Sequence, residues 1–195
     1  KNILDECSRV GNPNRAYYFF STSKISFPGA GIALTASSPD NIKELKKHMS
    51  AQTIGHDKLN QLRHVQFFKT PENLKAHMKL LAKQLRPKFD AVLDKLETNL
   101  AESGLATWSH PKGGYFVSLD TIPGCAKRTV ELAKTAGVIM TGAGATYPYG
   151  KDPKDSNIRI APTYPTLGEL EQAMDIFTVC VQIAGIEKLL NDKGE

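Results

Sequence analysis

Cysteine is scarce in this sequence, and none of it stands in a metal-binding pattern. Cys7, Cys125 and Cys180 are widely spaced, without a CxxC pair or a matching histidine pattern, which excludes a disulfide framework and a zinc site. Free cysteines are usually buried, so reduced, buried thiols are expected. Long hydrophobic runs are absent too: no stretch reaches the roughly 20 apolar residues of a bilayer span. The opening residues KNILDECSRV lack the basic-then-apolar layout of a signal peptide. These absences predict a cytoplasmic protein with no membrane partner. A basic block is also missing. The net charge is +5, but Lys and Arg are interleaved with acids, as where Asp40 and Glu44 flank the cations of KELKKH. No aromatic platform accompanies them, which argues for solvated helix faces and against a nucleic-acid partner. The chain starts at Lys1 rather than Met, in what reads as the tail of a helix (Ile3, Leu4, Cys7 and Val10 at helical spacing), so a longer parent protein is expected.

What is present suits a globular fold. Its 195 residues, 41% hydrophobic and 23% charged, can form one large or two small domains. The aromatic run Ala16 to Ser21 reads as a strand, and Gly31 to Ser37 as a buried strand, with a loop of small residues, TSKISFPGAG, between them. Ser38 followed by Pro39 signals a helix to about Ser50, and a second helix covers Lys58 to Phe68. Thr70 and Pro71 open a long helix to about Leu100, which Pro87 should kink. Beyond Gly104 the pattern turns α/β. Two short strands within TWSHPKGGYFVSLD are joined by Pro111 to Gly114, then come a helix at Ala126 to Ala136, a strand VIMT and a strand NIRIAP. Thr166 and Glu169 form a capping box for a last helix reaching about Leu190.

Lys24 is the residue with the clearest chemical promise. It is flanked by hydroxyls at a strand end, in a loop without competing carboxylates, where an amine meant to react could be held near a phosphate handle of hydroxyls and backbone N–H groups. A plain loop lysine is the competing reading. Arg159, on the NIRIAP strand, could grip a carboxylate through two parallel hydrogen bonds or form a surface ion pair. Gly113-Gly114 could be a simple hairpin turn or line a pocket edge. Tyr147 and Tyr149 could face a site or stiffen their loop around Pro148.

Ser21-x-Ser23-Lys24 with its glycine-rich turn resembles the cofactor-lysine motif of the class I/II aminotransferases, the fold type I enzymes dependent on pyridoxal 5'-phosphate (PLP). The likeness continues through QTIGHDKLNQ (52–61), GGYFVSLD (113–120) and Asn157-Ile158-Arg159-Ile160-Ala161, and so covers nearly the whole chain in order. The branch it looks like is the bacterial aspartate aminotransferase-like group, related to the catalytic-type domain of MocR regulators.

This resemblance implies the C-terminal portion of such an enzyme: residues 1–70 as a remnant of the large PLP-binding domain, 71–100 as a connecting helix, and 85–195 as the small α/β domain. It implies Lys24 as the catalytic lysine joined to PLP, and Ser21 and Ser23 as hydroxyls on the cofactor phosphate. Arg159 would bind the substrate α-carboxylate, with Asn157 and Gly114 at the substrate. Amino acids and 2-oxo acids would be the substrates, the missing N-terminal part and a second copy in a homodimer the partners. One departure stands out. Many relatives place a phosphate-binding arginine where this chain has Gly31 or Ile32. The other cofactor contacts of the family lie before the lysine and outside this chain, so the chain alone is expected to be inactive. The rival function is a PLP-binding, ligand-sensing domain of a MocR-type transcriptional regulator.

Overall fold

The computed structural model of the chain describes residues 1–194. They divide into two compact units, Lys1–Leu81 and Ala82 onward.

The first unit opens with α1 (Ile3–Arg9). The expected helix tail is thus a short helix whose N–H of Leu4 is capped by the Asn2 side chain. β1 (Tyr18–Ser21) and β2 (Ala33–Ala36) pair antiparallel, with Ser21 opposite Ala33. β2 was expected to be buried, but every residue of it is exposed. Its partner face is open as well, with Phe19 at 70% and Leu34 at 59% of full exposure. Period-two apolar residues specify a strand, whereas burial needs a second layer to cover it. α2 (Pro39–Gln52) starts where Ser38 accepts from the N–H of Asn41, and α3 (Lys58–Phe68) where Asp57 accepts from the N–H of Asn60.

α4 (Pro71–Leu100) runs through the sequence boundary between the units and continues as one helix across Pro87.

The second unit holds the core. β3 (Ala106–Trp108), β4 (Val117–Thr121) and β5 (Asn157–Ile160) form an antiparallel sheet in the order β3-β4-β5. Its inner face presents Val117, Leu119, Ile158 and Ile160. Against this face pack the buried stripes of α4 (Val92, Leu96, Leu100) and of α6 (Leu167–Lys193), whose Leu170, Met174, Phe177 and Val181 recur at helical spacing. The capping box on Thr166 and Glu169 is present. α5 (Ala126–Thr135) lays small residues, Ala126, Thr129 and Ala133, on its inner side. All three cysteines are free and buried; burial pushes the thiol pKa of Cys125 and of Cys180 up.

The expected strand VIMT does not form. Gly137 adopts a positive φ of 92° after α5, and the N–H of Val138 turns back to Ala133 O at 2.8 Å, closing a Schellman-type end. Met140 packs on the core while Ile139 stays 86% exposed. Apolar content alone marked this stretch as sheet, but its first N–H is used by the helix end.

Candidate functional site

Lys24 lies in the loop between β1 and β2. The ladder is extended by one step, with the N–H of Thr22 donating to Ile32 O and the N–H of Ile32 to Thr22 Oγ1, both at 2.8 Å. The N–H groups of Ile25 and Ser26 both donate to Thr22 O, at 2.8 and 2.9 Å. This turn carries Lys24 on the surface.

Ser21 and Ser23 are brought together there. Their Oγ atoms are 2.7 Å apart, and the N–H of Ser23 donates to Ser21 Oγ at 3.2 Å. Gly31 backs the pair: a Cβ built on it would stand 2.5 Å from Ser23 Oγ and 3.0 Å from Ser23 Cα. A side chain at position 31 would therefore press on Ser23. Two exposed hydroxyls and a backbone without a side chain in the way suit a phosphate group.

α3 holds this loop from one side. Asn60 Nδ2 donates to Ala30 O at 2.9 Å. Ser26 Oγ sits 2.7 Å from His64 Nε2, while His64 Nδ1 is 2.9 Å from Asn60 O. Phe27 packs edge-on to His64 and Phe67, with ring centroids at 5.1 and 4.8 Å. The sequence reading missed Ser26 and His64, and passed over Asn60 inside QTIGHDKLNQ, because no spacing pattern links residue 26 to residue 64.

In the second unit Arg159 lies on the outer face of the sheet, opposite Ser118. Its ζ carbon is 4.4 Å from the centre of the Phe116 ring, a cation–π distance. Arg159 Nε is buried without a hydrogen-bond partner. A buried unpaired donor costs about 1–3 kcal/mol, a cost an anionic oxygen would remove.

Asn157 is used differently. Its Nδ2 donates to Ser118 Oγ at 3.0 Å and Asp120 Oδ1 at 2.9 Å, and its Oδ1 accepts from Thr146 Oγ1 at 2.6 Å. The carboxamide thus ties β5 to β4 and to the Tyr147 loop. Just before it, Asp152 accepts from the N–H groups of Lys154, Ser156 and Asn157. Partial burial pushes the Asp152 carboxyl up, but those three N–H groups outweigh it and hold its pKa below the ordinary carboxylate value. Gly114 has φ +92°, a left-handed conformation that favours glycine, in the loop leading into β4. Tyr147 is 37% and Tyr149 96% exposed.

Among the described residues no helix is long and apolar enough to cross a membrane, and no group of His, Cys, Asp and Glu could hold a metal ion.

A lysine loop on an antiparallel pair, followed by an antiparallel sheet flanked by long helices, is the architecture of the C-terminal part of the fold type I aminotransferases. A solved structure of this kind is α-aminoadipate aminotransferase LysN of Thermus thermophilus, complexed with N-(5'-phosphopyridoxyl)-L-leucine. It matches with a TM-score of 0.74 at 18% identity, over 94% of this chain and 46% of LysN. Residues 1–193 match the aspartate amino-transferase family, and the chain belongs to it. An aspartate aminotransferase of Corynebacterium glutamicum is 47% identical over 182 residues, 93% of this chain and 42% of that protein. The crystal structure of an aspartate transaminase from the same organism superposes with a TM-score of 0.92 at 45% identity, over 96% of this chain and 44% of the other. The HTH-type transcriptional regulator YdfD of Bacillus subtilis is 28% identical over 158 residues, 80% of this chain and 31% of the regulator. The chain thus spans less than half the length of each of these proteins.

Proposed function

We propose that the full protein is a PLP-dependent aminotransferase that moves an amino group from an amino acid to a 2-oxo acid, with aspartate and 2-oxoglutarate as the favoured pair. The observation that carries this reading is the loop itself. Lys24 stands beside two hydroxyls 2.7 Å apart, over a glycine that leaves them room. Ser21 and Ser23 would hold the cofactor phosphate, and Lys24 would bind the cofactor covalently. PLP, when bound, supplies an electron sink for the carbanion at the substrate α-carbon. Lys24 Nζ, when not joined to the cofactor, would take the proton from the substrate α-carbon and hold it for return. Arg159 grips the α-carboxylate with two parallel hydrogen bonds, and the Phe116 ring keeps the guanidinium plane in place. Gly114 gives the pocket edge its turn, and Asn157 orders the strand from which Arg159 projects.

The aspartate assignment is supported by the name of the 47% identical relative. In this reading the protein is a cytoplasmic homodimer. Residues outside this chain complete the cofactor site, and the 195 residues alone are inactive. A second reading, a PLP-binding sensor domain of a MocR-type regulator, has one observation in its favour, the 28% identity to YdfD. It uses the same lysine but predicts no turnover.

Borohydride reduction of the full protein with PLP, followed by peptide mapping, should place the pyridoxyl group on Lys24. The label on another lysine would end this reading. Label on Lys24 without turnover of any amino acid would favour the sensor.

A further inference from the structure

We infer that His64, together with Asn60, is a positioning residue that clamps the lysine-bearing loop through Ser26; this rests on the reading of Lys24 as the reactive lysine. Three observations within the first unit converge on it. Asn60 O can only accept, so the ring proton of His64 is on Nδ1, and in the neutral ring Nε2 accepts the hydroxyl proton of Ser26 at 2.7 Å. Ser26 is tied to the base of the loop by its own N–H, which donates to Thr22 O at 2.9 Å, while its one hydroxyl proton, given to His64, is not available to Thr22 Oγ1 3.1 Å away. The imidazole is thereby connected to the base of the loop. Asn60 contributes separately, donating from its side chain to Ala30 O on the far limb of the loop. Both limbs of the loop that bears Lys24 are tied to one turn of α3.

The setting makes these bonds matter. His64 is 7% exposed, and it is one of only three residues buried in the first unit, with Cys7 and Ser38. Within this chain the rings of Phe27, Phe67 and Phe68 around His64 are the packing of the loop. A loop with so little burial is held by its hydrogen bonds, and side-chain bonds in a shielded position are stronger than exposed ones. Releasing Ser26 would let the Thr22–Ile25 turn sample other conformations, and with it the placement of Lys24 relative to Ser21 and Ser23.

The test separates the hydrogen bond from the ring. His64→Phe keeps an aromatic surface for Phe27 and Phe68 but cannot accept from Ser26, while His64→Gln restores an acceptor, and Ser26→Ala removes the same bond from the other end. In the full protein without PLP, amide exchange of residues 22–32 should speed up roughly tenfold in His64→Phe and in Ser26→Ala, the scale of one lost hydrogen bond. The double variant should be no faster than either, and His64→Gln should fall near the wild type. Pyridoxyl labelling at Lys24 should slow in the same order, while global unfolding midpoints stay nearly together. Unchanged exchange in both single variants, additive effects in the double variant, or failure of His64→Gln to recover would overturn the clamp. If the wild type takes its label on a different lysine, the reading of Lys24 falls, and the exchange pattern alone decides whether the clamp on the loop stands.

Discussion

At the scale of single residues, the two ends of the proposed chemistry differ in what surrounds them. Lys24 is exposed in a turn whose neighbouring Ser21 and Ser23 hydroxyls stand 2.7 Å apart, with Gly31 against Ser23. Arg159 is half buried, stacked on Phe116, with Nε unpaired. Replacing it by lysine exchanges a planar fork for a point charge and loses one charged hydrogen bond. Arg159→Lys in the full enzyme should therefore raise the KM for the amino acid by an amount equivalent to about 1.5–3 kcal/mol, with PLP binding nearly unchanged. Steady-state kinetics beside a PLP titration checks both halves, and unaltered KM and kcat would remove Arg159 from the site. Both residues could be singled out in the sequence because each stands in a short local string that carries the family resemblance. Ser26 and His64 were not, because their partnership exists only across 38 positions.

The elements show where local signals suffice and where they fail. Ser38-Pro39, Thr70-Pro71 and the Thr166/Glu169 box set helix starts that the structure reproduces, since capping is decided within four residues. The VIMT stretch misled because a helix end and a strand start compete for the same N–H groups, and Gly137 lets the helix end win. The segment before β5 gives a testable case. Asp152 collects three backbone N–H groups there, and its carboxyl is held below the ordinary value despite burial. Glu169, bonded by the N–H and hydroxyl of Thr166, and Glu187, bonded by Arg128, are lowered as well. A carboxylate whose folded pKa lies below its unfolded value stabilises above the unfolded pKa of about 4, and that stabilisation is lost as pH falls through the folded pKa. The second unit should thus lose stability on acidification below about pH 4. Asp152→Asn, which cannot accept all three N–H bonds, should lower the thermal midpoint at pH 7 and show a shallower fall toward pH 3. Parallel thermal melts of the two proteins across this range check it; equal slopes would mean that Asp152 does not report on folding.

For the whole molecule, the two units are unequal. Nearly all buried apolar side chains belong to the second unit, where α4, α5, α6 and the strands β4 and β5 share one core. The first unit buries only Cys7, Ser38 and His64, and leaves Tyr18, Phe19 and Leu34 exposed on its two strands. Stability follows buried apolar area, at roughly 25 cal/mol per Å², so residues 82–195 expressed alone should unfold cooperatively, while residues 1–81 should not. PLP added to the 195-residue chain, confirmed by mass to be free of other polypeptide, should give neither a stoichiometric absorbance band nor turnover. Turnover by the chain alone would refute the account of its cofactor site, and a noncooperative melt of 82–195 would refute that of its core.

By itself the sequence determined the helix starts, the spacing of the core stripes on α4 and α6, and the family resemblance carried by the lysine string and NIRIAP. Each of these is encoded within a few consecutive residues or one helical period. Tertiary structure alone decided that Gly31 stands against Ser23, where a side chain would crowd it. It likewise decided that Asn157 serves as a tie between strands and loop rather than an open hydrogen-bonding group. The same holds for His64 reaching Ser26. Those outcomes depend on which atoms long-range packing brings within 3 Å of one another, and local propensity carries no information about that distance.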